Sequence, residues 1–346
     1  MDNEAGAKES NSKKIDVNPR TNETNSTNLT KNPRTEEKEW KKPLKKALLL
    51  VNQNAGTGNA KGKVFRLISG LVKLGYEVIT YPIIPKMNIT SENIIEAYKN
   101  RVKLVACVGG DGTLNHVVNA LMAATDKEKA SLPVLYIPSG TTNDYAKTLG
   151  LSGDVEKVIH GVEHSRVYRL DIGTFSDKYF NYVAAFGAFT NVSYATPQDQ
   201  KNLLGYLAYL VNGLASAPVS LQTRYHLEVS HDGITEEGDY VFGAVSNATS
   251  VGGFKTPALA NASLSDGLFE VILIKAPDAL QEIGEILMAA GDGSFDNPHI
   301  KIFRTSEVTF RSDNDIDWTI DGEYGGAKKE VTVSVIPQAI RIYAED

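Results

Sequence analysis

A chain of 346 residues with 42% hydrophobic and 23% charged residues is long enough for two domains, each with its own core. Its single cysteine, Cys107, excludes an internal disulfide, and its net charge of −6 argues against a nucleic-acid-binding body. No apolar stretch reaches the roughly 18 residues that a membrane span needs. We therefore expect a cytoplasmic protein with no nucleic acid among its partners.

The first 42 residues differ in composition from the rest. They are rich in Asn, Thr, Lys and Glu, so we expect a disordered tail. Residues 1–47 carry 11 Lys or Arg and 8 Asp or Glu, whereas the remainder carries 25 and 34. The lysines around Trp40 suit an anionic phospholipid surface, where each contributes about 1 kcal/mol. A solvated linker is the simpler alternative and the favoured one.

Strand and helix patterns alternate from Ala47 to about residue 150. Expected strands cover residues 47–52, 76–81, 103–108 and 133–138, and expected helices lie around 64–72, 92–99, 114–125 and 143–149. This alternation predicts a doubly wound parallel sheet, which we assign to a nucleotide-binding α/β domain over residues 43–170. Ligands of such sheets bind at the carboxyl ends of the strands, so the turns after the first, third and fourth strands should meet there.

The pattern changes after Leu170. Short strands are expected at 224–229, 239–245, 269–274, 307–311, 318–320 and 331–335, with helices near 202–215 and 279–290. Asp232-Gly233 is a hairpin signal. We expect a mainly antiparallel, β-sandwich-like domain over residues 171–335, with residues 336–346 returning to the first domain.

The most informative segment runs from Val105 to Asn115. An apolar strand ends in Gly109-Gly110-Asp111-Gly112, and an apolar-periodic helix follows. Glycines let a backbone approach a phosphate, and the N–H groups at a helix start favour anions. Because a carboxylate in that turn would repel a bare phosphate, Asp111 suits a cation or a proton-bearing acceptor beside the phosphates. A plain tight turn is the competing interpretation.

Other turns carry weaker signals. Asn52–Gly58 follows a strand but lacks the lysine of a Walker loop, and Pro138–Asp144 places hydroxyls and an acid after the fourth strand. Asp171–Gly173, Ser263–Leu268 and Asp321–Gly326 are acidic glycine-containing segments that can be ordinary turns.

Together these motifs closely resemble the bacterial soluble diacylglycerol kinases and their lipid-kinase relatives. Five segments occur in the family's order, namely Gly109–Asn115, Pro138–Asp144, Asp171–Gly173, Ser263–Leu268 and Asp321–Gly326. The resemblance covers roughly residues 46–344. The family shares its catalytic module with eukaryotic diacylglycerol and sphingosine kinases and is more distantly similar to NAD kinases. A second domain that resembles the lipid-kinase domain disfavours NAD kinase activity.

The resemblance implies a nucleotide site and an acidic network. The nucleotide-binding positions would be Asn52, Gln53, Asn54, Ala55, Gly56, Gly109, Gly110, Asp111, Gly112, Thr113, Leu114, Asn115 and Thr141. Gln53 and Ala55 replace the family's proline and serine, which removes a hydroxyl contact. Asp111 and Asp144 would serve catalysis or metal handling. Asp321 and Glu323 would meet the acceptor hydroxyl, one of them as general base.

The resemblance also implies a structural Mg²⁺. Asp266 would bind it together with the carbonyls of Ser263 and Leu268, and Asp171 would reach it through water. One position departs from the family: His116 stands where Glu is usual, which puts the strength of metal or nucleotide binding in doubt.

The expected activity is ATP- and Mg²⁺-dependent phosphorylation of the primary hydroxyl of diacylglycerol to phosphatidic acid. The alternatives are another lipid alcohol, such as a sphingoid base or a polyprenol, and a degenerate protein that only binds lipid or nucleotide. A membrane lipid substrate implies a peripheral position on the inner face of the membrane during catalysis, and a homodimer stays open.

Overall fold

The computed structural model describes residues 45–52, 60–84, 89–124, 132–140, 143–187, 224–247, 263–291 and 296–345. The expected tail over 1–42 and the expected helix over 202–215 lie outside these residues. So do Gln53, Asn54, Ala55, Gly56 and Thr141. Within the described part, no helix combines the length and the apolar character needed to cross a bilayer.

The N-terminal half is an α/β domain, as the alternating pattern predicts. Its parallel strands pair in the order β2-β1-β3-β4. They are β1 (Lys45–Asn52), β2 (Tyr76–Ile83), β3 (Leu104–Gly109) and β4 (Val134–Pro138). The helices are α1 (Ala60–Lys73), α2 (Ser91–Tyr98), α3 (Asp111–Ala124), α4 (Asp144–Thr148) and α5 (Val155–Glu163).

Both faces of this sheet are covered, which explains its uninterrupted apolar strands. Leu48 and Leu50 pack into a core with residues of α2, α3 and α4, whereas Ala47 and Leu49 pack into another with residues of α1 and α5. All four are fully buried. A strand buried on both faces shows no alternation of polar and apolar residues.

The C-terminal half is rich in antiparallel strands, again as expected. The strands are β5 (Val167–Phe175), β6 (Lys178–Phe180), β7 (Val183–Gly187), β8 (Tyr225–His231), β9 (Ile234–Ser246), β10 (Phe269–Lys275), β11 (Ile300–Thr305), β12 (Glu307–Ile320) and β13 (Glu323–Tyr343). One helix, α6 (Leu280–Gly291), lies between β10 and β11. Their core is built around Trp318, whose ring contacts Phe186, Phe175 and Phe310.

The last strand joins the two halves. β13 pairs antiparallel with β12 and β5, and near its end it pairs parallel with β4 through Ile342 and Val134. β5 runs across the expected domain boundary at residue 170, so the position of that boundary stays a prediction.

Several elements differ from the expected ones. α3 begins at Asp111 rather than Leu114, so Asp111-Gly112-Thr113 forms the first helical turn instead of a preceding loop. The two strands expected at 307–311 and 318–320 are one strand, β12, whose register shifts between Arg311 and Ile316. Helix α5 and strands β5, β6, β7 and β11 were not expected. These are short elements, and neighbouring segments pair with or cover them.

Candidate active site at the carboxyl edge of the parallel sheet

Two glycines bring the ends of β3 and β4 into close contact. Ser139 N donates to Gly109 O at 2.8 Å, and a Cβ added to Gly140 would lie 2.5 Å from the Cα of Gly110. A Cβ added to Gly110 would lie 3.1 Å from the Cα of Gly140. A side chain at Gly140 would collide with the facing backbone, and one at Gly110 would push it away by a few tenths of an ångström, so the two glycines permit this backbone approach.

The N-terminus of α3 opens at this edge. Its first intrahelical bond is Leu114 N to Gly110 O at 3.1 Å, so the preceding N–H groups make no bond within the helix. Asn52 Nδ2 donates to Thr113 Oγ1 at 3.0 Å, which ties the end of β1 to this first turn. Asn52, Gly109, Gly110, Asp111, Gly112, Thr113, Leu114 and Asn115 therefore lie at or beside one helix start.

Asp111 lies at the start of α3 and close to α4. Its Oδ1 accepts from Tyr145 N at 3.3 Å. Burial, with a smaller contribution from the Asp111 charge, raises the pKa of the Tyr136 phenol. Asp144 is the first residue of α4, beside this contact.

Two polar groups at this edge were missed from the sequence. Lys63 Nζ, on α1, donates to Pro138 O at 3.1 Å and brings a positive charge to the end of β4. Ser139 Oγ is buried and has no hydrogen-bond partner among the described residues. Lys63 lies five residues after Gly58, a spacing that could have drawn attention to it.

Asp321 is the buried centre of the contact between the two halves. The residue as a whole is only 5% exposed. Its carboxylate accepts five hydrogen bonds of 2.7–3.1 Å, from Asn115 Nδ2, Asn181 N and Nδ2, Tyr182 N and Val183 N. Burial raises the pKa of Asp321, and the N–H donors act in the opposite direction. All of these partners hold the carboxylate inside the protein.

Glu323 lies over the start of α3. A Cβ added to Gly112 would lie 2.8 Å from Glu323 Oε1, and His116 Nε2 lies 4.0 Å from Glu323 Oε2. The Glu323 side chain is 57% exposed. A solvent-accessible carboxylate of the β-rich half thus faces the glycine-rich helix start of the α/β half.

Asp171 holds a second set of segments together. It is fully buried in β5, not in a turn, and its carboxylate accepts from Gly267 N and Gln338 N, both at 2.7 Å. Its backbone N–H donates to Leu264 O at 2.8 Å. Asp171 therefore fixes the Ser263–Leu268 turn, which was expected to hold a metal.

In that turn, Asp266 is already paired with the guanidinium group of Arg304. Its Oδ1 accepts from Leu268 N at 3.1 Å, and its Oδ2 forms an ion pair with Arg304. Arg304 also contacts buried Glu270, whose pKa is raised to about 7 by burial. The Ser263–Leu268 turn shares no residue with the Gly112–Glu323 contact, so the two are separate features of the structure.

Comparisons with known proteins agree with this architecture. Residues 46–175 match the diacylglycerol kinase catalytic domain, and residues 184–344 match the YegS C-terminal NAD kinase beta sandwich-like domain. A diacylglycerol kinase of Bacillus subtilis is 30% identical over 284 residues, which cover 82% of this chain and 91% of that protein. One from Staphylococcus aureus strain MRSA252 is 29% identical over 283 residues, covering 82% and 87%.

A solved structure shares the fold. The crystal structure of a diacylglycerol kinase from Bacillus anthracis strain Sterne superposes with a TM-score of 0.64 at 16% identity, covering 87% of this chain and 97% of that one. At this level of identity the likeness shows the fold alone.

Proposed function

The chain belongs to the diacylglycerol kinase family, and we propose that it transfers the γ-phosphoryl group of Mg²⁺–ATP to the primary hydroxyl of diacylglycerol, giving phosphatidic acid. That it is a kinase acting on an alcohol follows from the family. The observation that carries the proposal is the position of Glu323 over Gly112. It sets a carboxylate of one half against the helix start of the other.

The residues at the sheet edge fit a nucleoside triphosphate. Gly110 and Gly140 leave room that any Cβ would fill, and the first turn of α3 directs N–H groups outward. Lys63 adds a positive charge, and Ser139 Oγ is a buried hydroxyl without a partner among the described residues. We propose that Gly109–Asn115 binds the phosphates, with Asn52 holding Thr113 in place.

Charge neutralisation and positioning supply most of the acceleration in phosphoryl transfer, and Mg²⁺ bound with ATP supplies part of that neutralisation. Asp111 and Asp144 are the acids that we propose for holding this complex. Thr141, Gln53, Asn54, Ala55 and Gly56 stay proposed nucleotide contacts outside the described residues.

We assign the general base to Glu323 rather than Asp321. A base must reach the hydroxyl proton at about 3 Å, which requires an accessible carboxylate. Glu323 is exposed, whereas Asp321 is enclosed by five N–H groups. Asp321 thus positions the hairpin that carries Glu323, and Glu323 takes the proton.

The Ser263–Leu268 turn offers oxygen ligands of the kind that Mg²⁺ binds. As it stands, Arg304 already neutralises Asp266, and Asp171 is engaged by two backbone N–H groups. This arrangement does not fit a dication.

We further propose that the enzyme meets its substrate at an anionic bilayer surface, since diacylglycerol resides in membranes. The apolar segments 186–189 and 203–214 would suit the acyl chains, but of these only Phe186 and Gly187 lie within the described residues. Phe186 is fully buried against Trp318, so it belongs to the core.

The test is a phosphorylation assay with γ-labelled ATP and vesicles that contain diacylglycerol, a sphingoid base or a polyprenol. We expect label in phosphatidic acid only with diacylglycerol and Mg²⁺. Preferential labelling of another alcohol would replace the substrate but keep the kinase. An absence of label in every lipid would overturn the enzymatic assignment.

A further inference from the structure

Three potential metal ligands project from one end of helix α5. His160, Glu163 and His164 each offer a ligand atom, and these atoms lie within 4.8 Å of one another. Positions i, i+3 and i+4 share one face of a helix. The two imidazole rings lie side by side, with centroids 4.1 Å apart. In the described part of the chain this is the one such group of three.

The hydrogen bonding of His164 prepares it as a ligand. Its Nδ1 lies 2.9 Å from His160 O. A carbonyl oxygen can only accept, so Nδ1 carries the proton and, in the neutral ring, Nε2 carries the lone pair. A hydrogen bond from the second ring nitrogen to a backbone carbonyl is the usual support of a metal-bound histidine, because it fixes the tautomer and the ring orientation.

The surroundings favour a cation. The cluster lies at the C-terminal end of α5, where the helix dipole is negative, and Glu163 adds a negative charge. All three residues are exposed, so the separations can shorten to ligand spacing by rotation of side chains. The cluster also sits on a packed helix, since α5 lies against the residue that follows β13: a Cβ on Gly161 would collide with Ala344 O.

We propose that His160, Glu163 and His164 form a binding site for a transition-metal dication of the Zn²⁺ class. Two imidazoles and one carboxylate suit Zn²⁺, Ni²⁺ or Cu²⁺, whereas Mg²⁺ prefers oxygen ligands alone. Water fills the remaining coordination positions. None of these three residues is among those that we assign to ATP, so the metal site does not depend on the proposed kinase activity.

The experiment is a calorimetric titration of the tag-free full-length chain with ZnCl₂ in excess MgCl₂. Excess magnesium competes for oxygen-only sites, so the remaining Zn²⁺ binding is enriched in sites with imidazole ligands, and the histidine variants identify them. We expect one Zn²⁺ per chain for the wild type. The double variant His160→Gln/His164→Gln should bind at least about tenfold more weakly, and Glu163→Gln should fall between them.

The matched control is His226→Gln, since His226 is also an exposed histidine but both its ring nitrogens are engaged by Asp239 and Glu237. It should bind Zn²⁺ as the wild type does. Cu²⁺ bound to the wild type should show hyperfine coupling to two imidazole nitrogens in electron paramagnetic resonance. Wild-type affinity in the double variant, or no Zn²⁺ bound by the wild type, would overturn the proposal.

Discussion

The side-chain amide of Asn115, in α3, donates a 2.7 Å hydrogen bond to Oδ2 of Asp321, which lies 206 residues further along the chain. Asn115 lies in the helix whose start we assign to the nucleotide, and Asp321 lies in the hairpin that presents Glu323. One partly buried hydrogen bond therefore links the glycine-rich helix start to the hairpin of the proposed base.

Replacing Asp321 by Asn should destabilise the fold. The amide nitrogen cannot accept from the N–H groups that surround this carboxylate, so buried donors lose their partner. We expect a loss of about 3 kcal/mol in the free energy of unfolding, measured by urea denaturation.

The control is Asp232→Asn. Asp232 and Asp321 begin Asp-Gly hairpins of the same backbone geometry, both with φ 48°. Asn tolerates this conformation in each case, but Asp232 is exposed. Its variant should change stability by no more than about 0.5 kcal/mol. Equal effects of the two substitutions would show that the buried network of Asp321 contributes nothing.

These two hairpins also show where sequence reasoning ends. Asp232-Gly233 and Asp321-Gly322 are the same local signal, and both form the expected turn. The difference between them is made by Asn115 and Asn181, which are far away in sequence. No local pattern could predict that one carboxylate is enclosed by N–H groups while the other stays exposed beside His231.

The sheet of the first half was predictable because its inner strands β1, β3 and β4 carry continuous runs of buried apolar residues. The continuous strand β12 was not. Residues 312–315 are polar and have low strand propensity, yet the segment is held by pairing with β13 on either side of a register shift. Pairing with β13 decided the structure there. Lys63 was missed for a similar reason, since its hydrogen-bond partner, the carbonyl of Pro138, lies 75 residues away in the sequence.

Glu323→Gln should abolish the proton acceptor while keeping the shape of the side chain. We expect kcat for diacylglycerol phosphorylation to fall at least about a hundredfold, the usual contribution of a general base. Glu330→Gln is the control, because Glu330 is an exposed glutamate of the same strand whose partner is Arg311. It should retain wild-type activity. If Glu323→Gln were as active as Glu330→Gln, the base would be another residue.

Gly112→Ala should reduce activity with little change in stability. The new methyl group would lie 2.8 Å from Glu323 Oε1, and that flexible side chain can move away at small cost. Since a displacement of about 1 Å can cost up to a hundredfold in rate, we expect kcat to fall by about ten- to a hundredfold. The measurement is steady-state kinetics beside thermal unfolding.

Gly62→Ala is its control, because among the described residues no atom beyond the helix's own backbone and the adjoining residues lies within 4 Å of a Cβ added to that glycine of α1. Its kcat should be unchanged, and its stability should rise by up to about 1 kcal/mol, since Ala is the better helix former. A normal kcat in Gly112→Ala would show that the position of Glu323 over Gly112 has no catalytic importance.

His116 stands where the resemblance implies a Glu, and its Nε2 lies 4.0 Å from Glu323 Oε2. His116→Glu would place two carboxylates in contact at the proposed base. Because a like charge within about 4–6 Å disfavours ionisation, the acidic limb of the pH profile of kcat/KM should move to higher pH. His116→Gln, which is polar but uncharged, should leave that limb close to its wild-type position. If the two variants gave superimposable profiles, residue 116 would not act on Glu323 through charge, and the 4.0 Å approach would be a simple packing contact.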